Sequence, residues 1–245
     1  LVSWNVDGLV PARVPEMLAR LGAPDVLCLQ EARIRASDAP LIEALVAAGG
    51  DAYACHHSLN RDPTNVRFRG GRAYGVVTSV RAALDPALRV EVPEWDREGR
   101  IVLTHLPALG LVIGNVYAVN GTSKPYFDHE LGRVDGDRHA FKRRFQALAL
   151  AEARRRRPAI FAGDWNVSRT KLDVHPRLRT EEPHARARAE LEAHLSASEM
   201  VDVFRELQPH ERAYTWFCAR AAARGRLAGA RVGYVLVSYG PLPRG

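Results

Sequence analysis

The chain has 245 residues, of which 47% are hydrophobic and 26% are charged. These values are typical of a globular protein, and no apolar run approaches the roughly 18 residues that cross a bilayer. The first residues contain neither an initiator Met nor the basic region of a signal peptide. We therefore expect one domain over residues 1–245, trimmed at its start, in the cytoplasm.

The charge of the chain favours an anionic partner. Its net charge is +7, from 35 Lys and Arg against 28 Asp and Glu. A basic surplus favours nucleic acid first, although an Arg-rich composition of the whole genome would produce the same surplus.

The three cysteines, Cys28, Cys55 and Cys218, are odd in number and far apart. They therefore predict neither a disulfide framework nor a zinc site.

Apolar runs and helical spacing predict the following elements in chain order. The predicted strands are Leu1–Trp4, Asp25–Gln30, Tyr74–Val80, Arg89–Val92, Ile101–Leu106, Leu111–Tyr117, Ala159–Ala162, Tyr214–Phe217 and Arg231–Ser238. The predicted helices are Pro15–Leu21, Leu41–Ala48, His139–Arg156 and Ala185–Ser196, and Val201–Leu207 is amphipathic. The polar segments His56–Gly71, Thr122–Asp137 and Thr170–His184 are predicted as loops.

The order of these elements predicts an α+β fold. Short strands follow one another in hairpin-like runs, and few long helices separate them. A doubly wound parallel sheet would instead alternate strands and helices regularly. The pattern favours two packed sheets with helices on their outer faces.

Polar residues lie at or just after the ends of many of the predicted strands. They are Asn5, Asp7, Glu31, Asn115, Tyr117, Asn120, Asp164 and Asn166. Carboxylate and amide oxygens are ligands that Mg²⁺ prefers, and no His/Cys cluster argues for zinc. The set indicates a Mg²⁺-assisted phosphoester hydrolase. The plainer alternatives are a polar turn at Gly163–Asn166 and a structural strand end at Glu31.

Seven short motifs carry a family resemblance. WNVDGL, DVLCLQE, EGR, NVYAVNG, GDWNVS, AYTWF and RVGYVLVS occur in an order that resembles the exonuclease III-type AP endonucleases of the endonuclease/exonuclease/phosphatase superfamily. The resemblance implies a DNase I-like, four-layer α/β/β/α sandwich of two mixed, mostly antiparallel sheets. It also implies a monomeric DNA repair phosphodiesterase with no membrane partner, either an AP endonuclease or a 3′–5′ exodeoxyribonuclease. If the protein is bacterial, the resemblance implies association with the nucleoid.

The resemblance also implies a role for each site residue. The metal ligands would be Asn5, Asp7, Glu31, Asp164 and Asn166, for Mg²⁺ or alternatively Mn²⁺. Tyr117 would contact the scissile phosphate, and Asp164 would act on the attacking water or protonate the leaving oxygen. Asn166 would stabilise the transition state. Asn115, Asn120 and Trp216 would bind substrate, and Arg100 would hold the architecture together.

Three departures from the family pattern fall near the end of the chain. The family motif Arg-x-Asp-Tyr reads Arg231-Val232-Gly233-Tyr234 here, and the chain stops at Gly245 before any Ser-Asp-His motif. The catalytic Asp–His pair and the last strand are then missing, either because this is a fragment or because the member is degenerate. A fragment explains the missing His but not Gly233, which is either a genuine divergence or a sequence error. Ala230 replaces an aromatic of the abasic-sugar pocket. We therefore expect weak or no turnover, and keep open another phosphoester substrate or a non-cleaving DNA- or metal-binding role.

Overall fold

The computed structural model describes residues 1–40, 42, 44, 53–65, 67–128, 133–218 and 228–238. The chain divides into two compact units. Unit 1 comprises residues 1–117 and 158–163, and unit 2 comprises residues 118–157 and 164–245. The prediction of a single domain stays a prediction.

The described residues form fourteen strands and four α-helices. The strands are β1 Val2–Asn5, β2 Val26–Gln30, β3 Tyr53–Ser58, β4 Val76–Arg81, β5 Arg89–Glu91, β6 Ile101–Leu106, β7 Leu111–Tyr117, β8 Pro125–Asp128, β9 Arg133–Asp137, β10 Ala159–Asp164, β11 Met200–Asp202, β12 Trp216–Phe217, β13 Gly229–Ala230 and β14 Gly233–Ser238. The helices are α1 Val14–Arg20, α2 Arg138–Arg155, α3 Glu182–Ser198 and α4 Val203–Leu207.

Unit 1 is built from two sheets that pack face to face. One sheet has the order β1-β2-β4-β3, and the other contains β5, β6, β7 and β10 as successive neighbours. In the first sheet β1 is parallel to β2, whereas β4 is antiparallel to both of its neighbours. Cys28 and Val80 of the first sheet meet Leu106 and Ile113 of the second in one buried apolar cluster.

Successive residues of β2 point to opposite faces, as the period of a strand requires. Cys28 lies in the cluster between the sheets, whereas Leu27 and Leu29 pack with Val14 and Leu18 on the other face. Helix α1 therefore covers the outside of the first sheet. Because β2 is apolar on both faces, it is buried along its whole length.

Unit 2 contains the two long helices. Helix α2 begins after Asp137, whose side chain accepts a hydrogen bond from Ala140 N at 2.9 Å. An ion pair of 3.0 Å joins Arg143 of α2 to Glu190 of α3. Strand β11 pairs antiparallel with β14, and β12 pairs with β13.

Two of the predicted loops were wrong. The segment predicted as loop from His56 begins inside β3, because polar side chains there interrupt the apolar pattern without ending the strand. The His56 ring forms a hydrogen bond through Nε2, which lies 2.6 Å from Thr104 Oγ1. The predicted loop Thr122–Asp137 contains the antiparallel hairpin β8–β9, whose sequence has too few apolar residues to predict strands.

Other predicted elements differ in their limits. Val201–Leu207 divides into the end of β11 and helix α4, and the strand predicted at Tyr214–Phe217 is reduced to β12. The predicted helix Leu41–Ala48 lies outside the described residues except for residues 42 and 44, and residues 221–227 and 239–245 lie outside them too. None of the described helices is long and apolar enough to cross a membrane.

Candidate active site

In unit 1 the ends of two parallel strands bring Asn5 and Glu31 together. Asn5 is the last residue of β1 and pairs with Gln30 of β2, so Glu31 follows directly beside it. The amide Nδ2 of Asn5 donates to Glu31 Oε1 at 3.0 Å. Strand order therefore explains why residues 26 positions apart in the chain share one site.

The Glu31 carboxylate accepts hydrogen bonds from three side chains. Besides Asn5, Tyr117 donates to it, and Arg33 donates to Oε2 at 2.5 Å. Burial alone would raise the pKa of Glu31, but these three donors and the charge of Arg33 lower it below its ordinary value. Glu31 is therefore a carboxylate that stays ionised at neutral pH.

Two carboxylates of unit 1 converge on one cation. Arg33 forms ion pairs with both Glu31 and Asp7. A pair of carboxylates beside an amide oxygen is a donor set that suits Mg²⁺, so these residues fit the predicted metal in kind. Among the described residues, however, no group of three or more His, Cys, Asp or Glu side chains could hold an ion by itself. A metal would therefore need amide or water ligands and would compete with Arg33.

The two loops that carry these groups, one after β1 and one after β2, have an unusual backbone. Asp7, Glu31 and Arg33 all have φ near +50°, a left-handed conformation that side chains with a Cβ disfavour. Backbone hydrogen bonds hold these loops, from Gly8 N to Glu31 O and from Arg33 N to Tyr74 O, both 2.8 Å. Strain of this kind persists where the surrounding structure holds the residues in place, and it is common at functional sites.

The ring of Tyr117 packs against the guanidinium of a buried arginine. The guanidinium of Arg100 lies 3.9 Å from the ring centroid of Tyr74 and 4.9 Å from that of Tyr117. Its Nε donates to Glu98 at 2.5 Å, and the side chain of Arg100 is 1% exposed. These are the contacts of the structural residue that was predicted, and they orient the Tyr117 phenol.

Asn115 has a different position from the one that substrate binding would need. It is fully buried between the sheets of unit 1. Its amide donates to Val77 O at 2.9 Å, and its Oδ1 accepts from Gln30 at 2.8 Å. These bonds account for the side chain without a substrate, because alternate residues of β7 point into the sheet packing.

In unit 2, Asp164 and Asn166 form a braced turn. Asn166 N donates to Asp164 Oδ1 at 2.9 Å, and Asn166 Nδ2 donates to Ala118 O at 2.8 Å. Ala118 N in turn donates to Asp164 O at 2.7 Å. Asn166 has φ +54°, and both side chains are more than nine-tenths buried. The predicted pair is thus brought together.

Two cations that contact this turn were not predicted from the sequence. Lys142 Nζ and Arg179 Nη1 each donate to the backbone oxygen of Asn166 at 2.7 Å. Burial, and secondarily the charge of Arg179, lowers the pKa of Lys142 to about 7, against the opposing attraction of Asp164. Lys142 is one of many basic residues in its helix, so only packing distinguishes it.

The remaining substrate-binding predictions lie at the surface of unit 2. Asn120 is exposed. Trp216 is 41% exposed, and the guanidinium of Arg179 lies 5.6 Å from its ring centroid. A half-exposed aromatic ring beside a cation can stack on a base while the cation contacts phosphate.

Gly233 stands where the family motif has Asp. Its backbone N and that of Val232 each donate to Thr215 Oγ1 at 2.9 Å. Arg231 of the same motif is buried and forms ion pairs with Asp173 and Asp202. The structural residue of the motif is therefore present, whereas the carboxylate is absent from it.

Comparison with known proteins identifies the family. A model of the Endonuclease/Exonuclease/phosphatase family matches residues 2–245. The chain belongs to this family. Membership, together with the relatives described next, confirms the predicted exonuclease III-type resemblance and the prediction of a hydrolytic enzyme.

The relatives include an exodeoxyribonuclease of Bacillus subtilis, 27% identical over 97% of this chain and 87% of the relative. A DNA-(apurinic or apyrimidinic site) endonuclease of Dictyostelium discoideum is 26% identical over 97% of this chain. The chain spans 62% of the Dictyostelium protein and 33% of recombination repair protein 1 of Drosophila melanogaster.

Two solved structures have the same fold. A 3′ phosphatase from Neisseria, bound to a product DNA hairpin, has a TM-score of 0.73 at 23% identity, over 96% of this chain and 85% of its own. An AP endonuclease from Archaeoglobus fulgidus has a TM-score of 0.72 at 22% identity, with the same coverage. The predicted α+β, DNase I-like fold class is therefore confirmed.

Proposed function

We propose that the protein is a Mg²⁺-dependent DNA repair phosphodiesterase that acts as an AP endonuclease or a 3′–5′ exodeoxyribonuclease. The observation that carries this proposal is the ionised Glu31 carboxylate, on which Asn5, Arg33 and Tyr117 converge. The activities for which the Bacillus and Dictyostelium relatives are named support it. The cytoplasmic location and the monomeric state stay predictions.

In unit 1 the metal would be held by Glu31 and Asp7, with Asn5 as an amide ligand. Mg²⁺ is the first choice because the donors are all oxygens, and Mn²⁺ is the alternative. When bound, such an ion polarises a phosphoryl oxygen and favours deprotonation of a water. Asp164 and Asn166 remain proposed ligands and belong to unit 2.

The protein's own side chains supply the remaining chemistry. The Tyr117 phenol can donate to a phosphate oxygen without repelling it. Asp164 would accept a proton from the attacking water or return one to the leaving oxygen. The Asn166 amide would donate to the charge that develops on the non-bridging oxygens.

Gly233 favours a second candidate, a member that binds DNA or metal but cleaves poorly. The described part of this motif offers no carboxylate at that position.

Ala230 bears on the choice of substrate. It is fully buried and pairs with Trp216 in β13–β12, so it lines no sugar pocket. The burial of Ala230 favours 3′ ends or another phosphoester over abasic sites.

Incision of a duplex that carries one abasic-site analogue, in Mg²⁺, tests the proposal. We expect Asp164→Asn to lower kcat/KM by about 10²–10⁴-fold, the contribution of a general acid–base group. Asp25→Asn is the matched control, since Asp25 forms a surface ion pair with Arg81. Hydrolysis of another phosphoester with no incision of DNA would contradict it.

A further inference from the structure

Three basic side chains of unit 2 surround the end of the GDWN segment. They are Lys142 of α2, Arg179, and Arg188 of α3, together called the basic cluster. Lys142 and Arg179 both donate to Asn166 O. Arg188 Nε donates to Ser168 O at 2.9 Å, and its Nη2 lies 3.5 Å from Arg179 O. All three cations therefore donate to neutral backbone oxygens.

The basic cluster has no carboxylate partner at close range. Within the described part of the chain, no Asp or Glu oxygen lies within 4.0 Å of a charged nitrogen of these three residues. Asp164 attracts Lys142 and Arg179 only at longer range. Glu181 lies 3.9 Å from His184 rather than beside a cation of the cluster.

This arrangement is electrostatically costly. Lys142 is 1% exposed, and buried charges are expensive unless they are paired. The cost is visible in the neighbours: burial and repulsion by Lys142 and Arg179 lower the pKa of His184 to about 4. An anion placed among these side chains would remove the repulsion.

We infer that Lys142, Arg179 and Arg188 form a binding subsite for a phosphate oxyanion of the DNA strand. Arg179 and Arg188 are partly exposed and provide the access. Trp216, beside Arg179, offers a stacking surface for the adjoining base. The hydroxyl of Ser168 is buried and has no hydrogen-bond partner among the described residues, which adds a donor to this segment. The inference rests on the proposed function for the identity of the strand.

Thermal unfolding of the protein in EDTA, with and without inorganic phosphate, tests the subsite apart from cleavage. We expect phosphate to raise the Tm of the wild type, because a ligand of the folded state stabilises it. Lys142→Met should unfold at the same or a higher Tm than the wild type without phosphate, since it removes an unpaired buried charge. It should also lose most of the phosphate-induced rise.

Arg186→Met is the matched control. Arg186 lies on the same helix as Arg188, but it pairs with Glu190 on the surface. We expect it to keep the whole phosphate-induced rise. A wild type whose Tm does not respond to phosphate would overturn the inference even if no variant folds. A lower Tm for Lys142→Met, with the phosphate response intact, would assign Lys142 to structure alone and overturn it too.

Binding of duplex DNA at several salt concentrations distinguishes a DNA phosphate from free phosphate. Loss of one phosphate contact lowers the slope of log Kd against log salt by about 0.9 for duplex DNA. We expect this change for Arg179→Gln and none for Arg186→Met. An unchanged slope would overturn the assignment to DNA. A wild type that binds phosphate normally but does not incise DNA would count against the proposed function only.

Discussion

Two groups of cations in unit 2 differ in how their charge is compensated. Arg231 donates to Asp173 at 2.7 Å and to both oxygens of Asp202, at 2.9 and 2.5 Å. Lys142 and Arg179, by contrast, donate to one neutral backbone oxygen. The difference separates a structural role from a binding role, although both groups use the same residue types.

The paired group joins separate parts of unit 2. Asp173 follows the GDWN segment, Asp202 ends β11, and Arg231 precedes β14. Arg205 adds a second cation to Asp173 at 2.6 Å. Burial alone would lower the pKa of Arg231, but its hydrogen bonds to Asp202 and Asp173 raise it above the ordinary value. Each charge in this group therefore has a partner.

The largest effect is expected from breaking the paired group. Arg231→Met leaves the buried carboxylate of Asp202 without its main partner, a change that costs about 3–5 kcal/mol in comparable buried pairs. We expect the free energy of unfolding in urea to fall by that amount. Arg186→Met, at the surface, should leave the midpoint almost unchanged.

A double variant makes this comparison sharper. Asp202→Asn combined with Arg231→Met should cost less than the sum of the two single changes, because both disrupt one interaction. Strict additivity would mean that the two side chains do not stabilise unit 2 as a pair.

The carboxylates of the candidate site were predictable from the sequence, whereas the cations beside them were not. Glu31 and Asp164 were found because each directly follows an apolar strand run within a recognisable motif. Arg33, Lys142 and Arg179 were missed because basic residues are frequent in this chain, and local sequence does not indicate which of them contact Glu31 or Asn166. Three-dimensional packing alone selects Lys142 from the basic residues of α2.

The fold was predictable to the extent that strands were apolar. β2 and β7 follow the predicted limits closely, since both are buried on two faces. β3 was missed because its histidines find partners such as Thr104 on the neighbouring sheet. Asn115 was assigned to substrate as one of the polar residues at the strand ends, but the alternation of β7 turns it inward to Gln30.

An intermediate effect is expected from pH. Burial alone would raise the pKa of Asp173, but Arg231, Thr170 and Arg205 lower it below the ordinary value of about 4. The stabilisation from this depressed pKa is present above about pH 4 and is lost as the pH falls through the folded-state value.

Asp173→Asn tests this sign directly. In urea titrations we expect the wild type to exceed the variant in stability by a constant amount from pH 7 to about pH 5. The difference should shrink at lower pH, because the wild-type carboxylate becomes protonated and then, like the Asn of the variant, carries no charge. Two curves that stay parallel down to pH 3, about one unit below the ordinary Asp pKa, would contradict the ionised pairing.

The smallest effect is expected beside the paired group, at Gly233. A Cβ built there would lie 3.3 Å from Thr215 Oγ1, and the backbone needs no left-handed φ. We expect Gly233→Ala to change the free energy of unfolding by no more than about 0.5 kcal/mol. Gly163→Ala is the contrasting control, because its Cβ would lie 1.9 Å from Val116 O at φ +151°.

This contrast bears on the chemistry of the Gly233 motif. If Gly233→Ala is neutral, backbone geometry does not require glycine, and the missing carboxylate is a chemical difference from the family pattern. Gly233→Asp should then fold at nearly wild-type stability, and any gain in DNA incision would come from the added carboxylate. Marked destabilisation by Gly233→Ala would instead make Gly233 a structural requirement of the Thr215 contact.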